Sequence, residues 1–118
     1  MKLQADARAA EDAAADFLRR QGYQIAQRNF ATRLGEIDIV AVDDGMVVFV
    51  EVKSRASDDF GPPEVAVDRR KQAKLRRIAQ VFLERRRLTD SACRFDVVAL
   101  TRATEGGEWR IELFRDAF

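Results

Sequence analysis

Polar and apolar positions follow three rhythms along the chain, and each rhythm predicts an element. Over residues 4–21, Ala10, Ala13, Ala14, Phe17 and Leu18 recur at helical spacing, which predicts an amphipathic helix stopped by Gly22. Its alanine density lets that helix approach closely whatever it packs against. Residues 23–32 alternate poorly, although Tyr23, Ile25 and Phe30 point to an edge strand whose Arg28 and Arg33 discourage edge-to-edge aggregation. Two β-branched runs follow, residues 35–42 and 46–55, on either side of Asp43-Asp44-Gly45. An Asp-Gly step between such runs predicts a tight hairpin, because glycine tolerates the positive φ of the turn. Residues 56–63 carry Ser57-Asp58-Asp59 and Gly61-Pro62-Pro63 and read as a loop, with Phe60 as a packing anchor. Helical rhythm returns after Asp68, a favourable N-cap, and runs to residue 87 with Leu75, Ile78, Ala79, Phe82 and Leu83 as its core stripe. Residues 94–100 form a buried strand. Beyond the turn at Glu105-Gly106-Gly107, Trp109, Ile111 and Leu113 alternate in a last edge strand.

This order predicts an α/β fold. Strand, helix and strand at this spacing require a parallel crossover between the second hairpin strand and the strand at residues 94–100. The sheet is then mixed, with about five strands in an antiparallel meander followed by a helical crossover, and helices cover it. Both faces of the hairpin are apolar along much of their length, as suits inner strands.

The hairpin register follows from its turn. With Asp44 and Gly45 central, Asp43 opposes Met46, Asp38 opposes Glu51 and Glu36 opposes Lys53. Alternation places Glu36, Asp38, Glu51, Lys53 and Arg55 on one face at the open end. Opposed carboxylates lie about 5 Å apart at Cβ and repel, so Asp38 and Glu51 need compensation. An oxygen-rich pair beside apolar strand suits a hard divalent cation, Mg²⁺ or Mn²⁺. Lys53 would serve an attacking water or the charge on a phosphate. Glu36 opposite Lys53 reads as an ordinary cross-strand ion pair, while Arg55 suits a phosphate contact and a solvated strand end equally.

Composition narrows the chemistry. The 118 residues fit one domain, and an apolar fraction of 47% supports a folded core. No apolar run nears the length of a membrane span, and Met1-Lys2-Leu3 leads into polar residues rather than a signal core, so a cytoplasmic location is expected. Cys93 stands alone, which excludes an intrachain disulfide and suggests an inert, half-buried thiol. The absence of histidine excludes Ser-His-Asp and Cys-His catalysis and histidine-bound zinc within the chain, leaving carboxylates, lysine and a metal for any hydrolysis. Net charge is only +1, but residues 69–87 hold nine basic residues and one acid, Glu84. The charge is therefore segregated onto the second helix. Arg70, Lys74 and Arg77 share one face of it, in a pattern suited to a phosphate backbone.

Asp38 followed by Glu51-Val52-Lys53 resembles the metal-binding core of the PD-(D/E)xK nuclease superfamily. Gly35-Glu36-Ile37-Asp38 with Phe49-Val50-Glu51-Val52-Lys53-Ser54-Arg55 resembles the uncharacterised bacterial YraN family, itself similar to archaeal Holliday-junction resolvases. The likeness runs from Glu11 to Phe95-Asp96-Val97-Val98-Ala99. It implies a restriction-endonuclease-like, mixed five-stranded sheet flanked by helices, a metal-dependent endonuclease acting on DNA, branched DNA as substrate, and a homodimer. In the resembling family a glutamate on the first helix completes the acidic site, and Glu11 matches it; its position alone equally suits a solvated acid near the positive helix end. Lys71-Gln72 matches a Lys-Gln pair common in YraN-like sequences, which implies proximity to the site and joins both residues to Arg55, Arg70, Lys74 and Arg77 as nucleic-acid contacts. The Gln-x-x-x-Tyr signature of RecB-like nucleases is absent, since Arg76 stands where the tyrosine would be. A non-cleaving nucleic-acid binder and a protein-interaction module using the basic helix are the rival functions, and the joint presence of Asp38, Glu51 and Lys53 argues against both.

Overall fold

The computed structural model describes residues 2–55, 67–102 and 106–118. Helix α1 spans Lys2–Arg20, and strands β1 (Gln24–Thr32), β2 (Gly35–Asp43) and β3 (Met46–Arg55) follow as a meander. Helix α2 (Arg69–Arg85) then crosses to β4 (Cys93–Thr101), and β5 (Arg110–Phe114) completes the sheet. Five strands lie in the order β1-β2-β3-β4-β5. The β3–β4 pair is parallel and the other pairs are antiparallel. This is the mixed, helix-flanked sheet read from the sequence, and it is compatible with a restriction-endonuclease-like fold. The loop assigned to residues 56–63, with Phe60, lies outside the described residues.

Two apolar layers hold the sheet between the helices. Ala10, Ala14, Ala15 and Leu18 of α1 pack on Ile39, Ala41, Val48, Val50, Val98 and Leu100. On the other face Leu75, Ile78, Ala79, Phe82 and Leu83 of α2 pack on Phe30, Ile37, Val40, Val47, Phe49 and Phe95. The α2 stripe is the one its periodicity predicts. Along α1, Phe17 is only half-buried and Ala15 takes the buried place instead, because a wide apolar stripe leaves the seam free to rotate by one residue. Asp68 caps α2 as expected, its Oδ1 accepting from the Lys71 N–H at 2.8 Å.

The hairpin register holds from Asp43↔Met46 to Ile39↔Val50 and then stops. Beyond it β2 turns over. Ile39 faces α1 while Ile37, two residues away, faces α2, and alternation would put both on one face. Strand β1 does the same, since Arg28 reaches α1 and Phe30 stacks edge-on against Phe82 of α2, ring centroids 5.2 Å apart. The pairs Arg28↔Ile39 and Phe30↔Ile37 bracket the place, where Asn29 adopts a left-handed φ of 55°. Asparagine tolerates that conformation better than most residues. The single shared face expected for Glu36, Asp38, Glu51, Lys53 and Arg55 is therefore broken: Glu36 and Asp38 line a cleft on the α1 side with Val52 and Ser54, whereas Glu51 meets Lys71 of α2.

Cys93 also differs from expectation. It is exposed and lies within β4, at the first ladder position opposite Val47. Burial in this strand begins only at Phe95, under Phe118.

Candidate functional site

The turnover at Asn29 and Asp38 builds the site. Once the β2–β3 ladder ends, the Asp38 carboxylate fills the gap between the strands, and its Oδ2 accepts from the Val52 N–H at 2.8 Å. Asp38 is thus held by backbone that would otherwise lack a partner. Its carboxyl is pushed up to about 8, first by burial and then by its hydrogen bond and charge contact with Glu51. Asp38 and Glu51 therefore meet, as opposed register implied, although they come from different faces. Two adjacent carboxylates shielded from water cannot both ionise cheaply.

Glu51 is 8% exposed. Its Oε2 lies 2.9 Å from the Lys71 ammonium in an ion pair, and no aligned hydrogen-bond donor reaches that oxygen among the described residues. A buried carboxylate oxygen that meets a mobile charge rather than an aligned donor is compatible with a directly bound cation. Among the described residues no three of His, Cys, Asp and Glu converge as a ready-made metal cage. Asp38 and Glu51 are accordingly the ligands such an ion would use, in the manner of Mg²⁺, which takes one or two carboxylates and keeps several waters.

Glu11 approaches from α1. It is buried, and its Oε2 lies 3.2 Å from Arg28 Nη2, which also meets Asp12 Oδ1 at 2.6 Å. Arg28 is therefore a tie between β1 and α1 rather than a solvated edge charge. With its amide oriented to satisfy both ends, Asn29 donates to Glu11 Oε1 at 3.0 Å and to Glu36 Oε1 at 2.6 Å. Glu11, Asn29, Glu36, Asp38, Val52 and Ser54 border a cleft of about 460 Å³. Glu36 consequently faces Asn29, and no ion pair joins it to Lys53 among the described residues. Lys53 is half-buried, pairs with Ala99 across β3–β4, and makes no ion pair among the described residues.

On the α2 side Glu36, Asp68, Arg70, Lys71, Lys74 and Ile78 bound a second cleft of about 410 Å³. Glu36 borders both clefts; Asp38 lines the first, and Lys71, which meets Glu51, lines the second. Arg70, Lys74 and Arg77 are exposed. Lys74 lies over Gly35, where a Cβ would come within 2.8 Å of its Cε, so this glycine admits the lysine stem. The basic helix is not uniform, however. Arg76 lies against the stacked rings of Phe95 and Phe118, 5.4 and 5.5 Å from their centroids, Arg85 covers Phe30, and Arg86 covers Phe82 and donates to Gln27. Gln72 donates to the Val67 carbonyl at 2.7 Å and pins the entry to α2. Arg55 is half-buried, and its carbonyl accepts from the Arg102 N–H at 3.3 Å.

One contributor, Asn29, is not foreseen in the sequence. Asn29 left a trace in the poor alternation of residues 23–32, because a left-handed residue breaks the two-residue period. Lys71 is expected near the site from its Lys-Gln match, but its pairing with Glu51 follows only from the docking of α2.

The region that carries this geometry is also the region shared with known proteins. The model of the family described as "Uncharacterised protein family UPF0102" matches residues 10–100. A UPF0102 protein of Syntrophus aciditrophicus (strain SB) is 47% identical over 108 residues, covering 92% of this chain and 84% of the relative. One from Desulforapulum autotrophicum is 50% identical over 111 residues, 94% of this chain and 90% of the relative, and one from Moorella thermoacetica is 44% identical over 108 residues, 92% and 90% respectively. The matched span holds every residue of both clefts except those at the first turns of α1, and the chain belongs to the UPF0102 family, the YraN family its hairpin motif resembles.

Proposed function

We propose that this protein is a metal-dependent endonuclease that hydrolyses DNA phosphodiesters. The observation that carries the proposal is the Asp38–Glu51 pair on diverging strands, half-buried and buried respectively, with an oxygen of Glu51 that meets the exposed Lys71 ammonium but no aligned hydrogen-bond donor among the described residues. A hard divalent cation between these carboxylates, Mg²⁺ or Mn²⁺, would supply the positive charge that a phosphate transition state needs. The remaining chemistry belongs to the chain. Lys53, two residues along β3 from Glu51, holds or orients a proton on the attacking water and offsets charge on the phosphate oxygens. Arg70, Lys74 and Arg77 track the backbone without reading bases. Glu11 and Glu36, joined through Asn29, hold the α1 side of the site in place. The resolvase resemblance supports branched DNA as the preferred substrate and a homodimer as the working assembly.

A cleavage assay on linear, flapped and four-way DNA with Mg²⁺ or Mn²⁺, and with EDTA as control, tests this. Metal-dependent cutting that disappears in Asp38→Asn and Glu51→Gln supports the nuclease. Binding without cutting would instead identify a non-cleaving nucleic-acid binder, the reading favoured by the lack of a three-acid cage among the described residues. Neither binding nor cutting would turn the basic helix into a protein-docking face.

A further inference from the structure

Glu51 and Lys71 are an unequal pair. The carboxylate side chain is 9% exposed and fixed on an inner strand, while the lysine side chain is 45% exposed. The lysine backbone is anchored by the Asp68 cap, but its ammonium reaches Glu51 Oε2 at 2.9 Å without hydrogen-bond alignment. An acid that cannot move is therefore neutralised by a base whose own side chain is half in solvent, and that base can leave without stranding a buried charge only when another cation takes its place. The groove into which that base would swing is bounded by Arg70 and Lys74.

We propose that Lys71 is a displaceable counter-ion: it holds the charge of Glu51 until a divalent cation takes that carboxylate, and the released ammonium then adds a phosphate contact beside Arg70 and Lys74. This rests on the metal-and-DNA reading above. It makes metal loading strengthen DNA binding, and by reciprocity DNA strengthens metal binding.

The test is a titration of Mn²⁺ into the intact protein without DNA, read by the resonance of the free ion, for the parent, Lys71→Met, Lys74→Met and Glu51→Gln. Lys71→Met should bind Mn²⁺ about tenfold more tightly, since a competing charge beside the carboxylate is gone. Lys74→Met, which removes the same charge from a neighbour that does not touch Glu51, should change affinity less than about twofold. On adding Ca²⁺, the parent should steepen its plot of log DNA affinity against log salt by about one, and Lys71→Met should not. Unchanged or weaker Mn²⁺ affinity in Lys71→Met, or an equal gain in Lys74→Met, overturns the proposal while leaving the metal site standing. If the parent binds Mn²⁺ no better than Glu51→Gln, the metal reading falls and takes this proposal with it.

Discussion

Two acids on inner strands of the same sheet, one fully buried and one half-buried, behave in opposite ways. At the turn end of the hairpin, Asp96 is 0% exposed yet fully served. It accepts from Tyr23 Oη at 2.7 Å, from Arg94 Nε at 3.0 Å and from the Asp116 N–H at 2.9 Å. Arg94 in turn donates to Asp43 at 2.6 Å and to Tyr23 Oη at 2.8 Å. The hydrogen bond to Asp96 raises the Arg94 guanidinium, and burial raises the Tyr23 phenol. At the other end Asp38 has a backbone donor and a second acid for company, and its carboxyl is driven up to about 8. A buried acid with a full set of donors fastens the fold. One that lacks them is, in the function proposed above, held ready for a cation.

The largest effect should come from breaking the fastened cluster. Asp96→Ala leaves Arg94 and Tyr23 without their buried partner and should cost about 3 kcal/mol or more in urea unfolding, the scale for removing one member of a buried pair. A loss below about 1 kcal/mol would mean that Asp96 is no more structural than Asp38.

Lys53→Ala should leave DNA affinity within a few-fold but lower cleavage about a hundredfold, because it removes charge needed only in the transition state. Cleavage at the parent rate would remove Lys53 from the chemistry. Replacing Arg70, Lys74 and Arg77 together by Ala should flatten the plot of log DNA affinity against log salt by about two to three, roughly one for each phosphate no longer neutralised. An unchanged slope would take α2 out of the interface.

The smallest effect sharpens the comparison most, through pH. Asp38 has a folded-state pKa of about 8, above the unfolded value of about 3.9. The folded state therefore binds the extra proton, so this group's stabilisation is full below the unfolded pKa and is lost as pH rises from about 4 to 8. Asp38→Asn removes the titration and keeps an acceptor for the Val52 N–H. In EDTA the variant should melt with the parent at pH 4 and about 2–5 °C above it at pH 8. Added Mg²⁺ or Mn²⁺ should raise the melting temperature of the parent alone, because only the parent keeps both ligands. A variant that melts lower throughout and still responds to metal contradicts the site.

Much of this was legible in the sequence. The Asp43-Asp44-Gly45 turn determines which residues oppose one another, and the ladder from Asp43↔Met46 to Ile39↔Val50 follows it. The stripe Leu75, Ile78, Ala79, Phe82, Leu83 and the Asp68 cap are likewise local, since a period and a cap are properties of neighbouring residues. The same ladder leads to the expectation that Asp38 opposes Glu51, but it stops at Ile39↔Val50, and the two acids meet from different faces. Other features were decided only when the layers closed. Asn29 turns two strands over at once, a consequence of its φ and of apolar residues seeking opposite cores. Lys71 finds Glu51, Arg76 finds Phe95 and Phe118, and Tyr23 finds Asp96 across 73 positions. Periodicity states which face a side chain occupies. Which partner waits on that face depends on how α1 and α2 dock against the sheet, and docking is set by the summed packing of both cores rather than by any stretch of sequence.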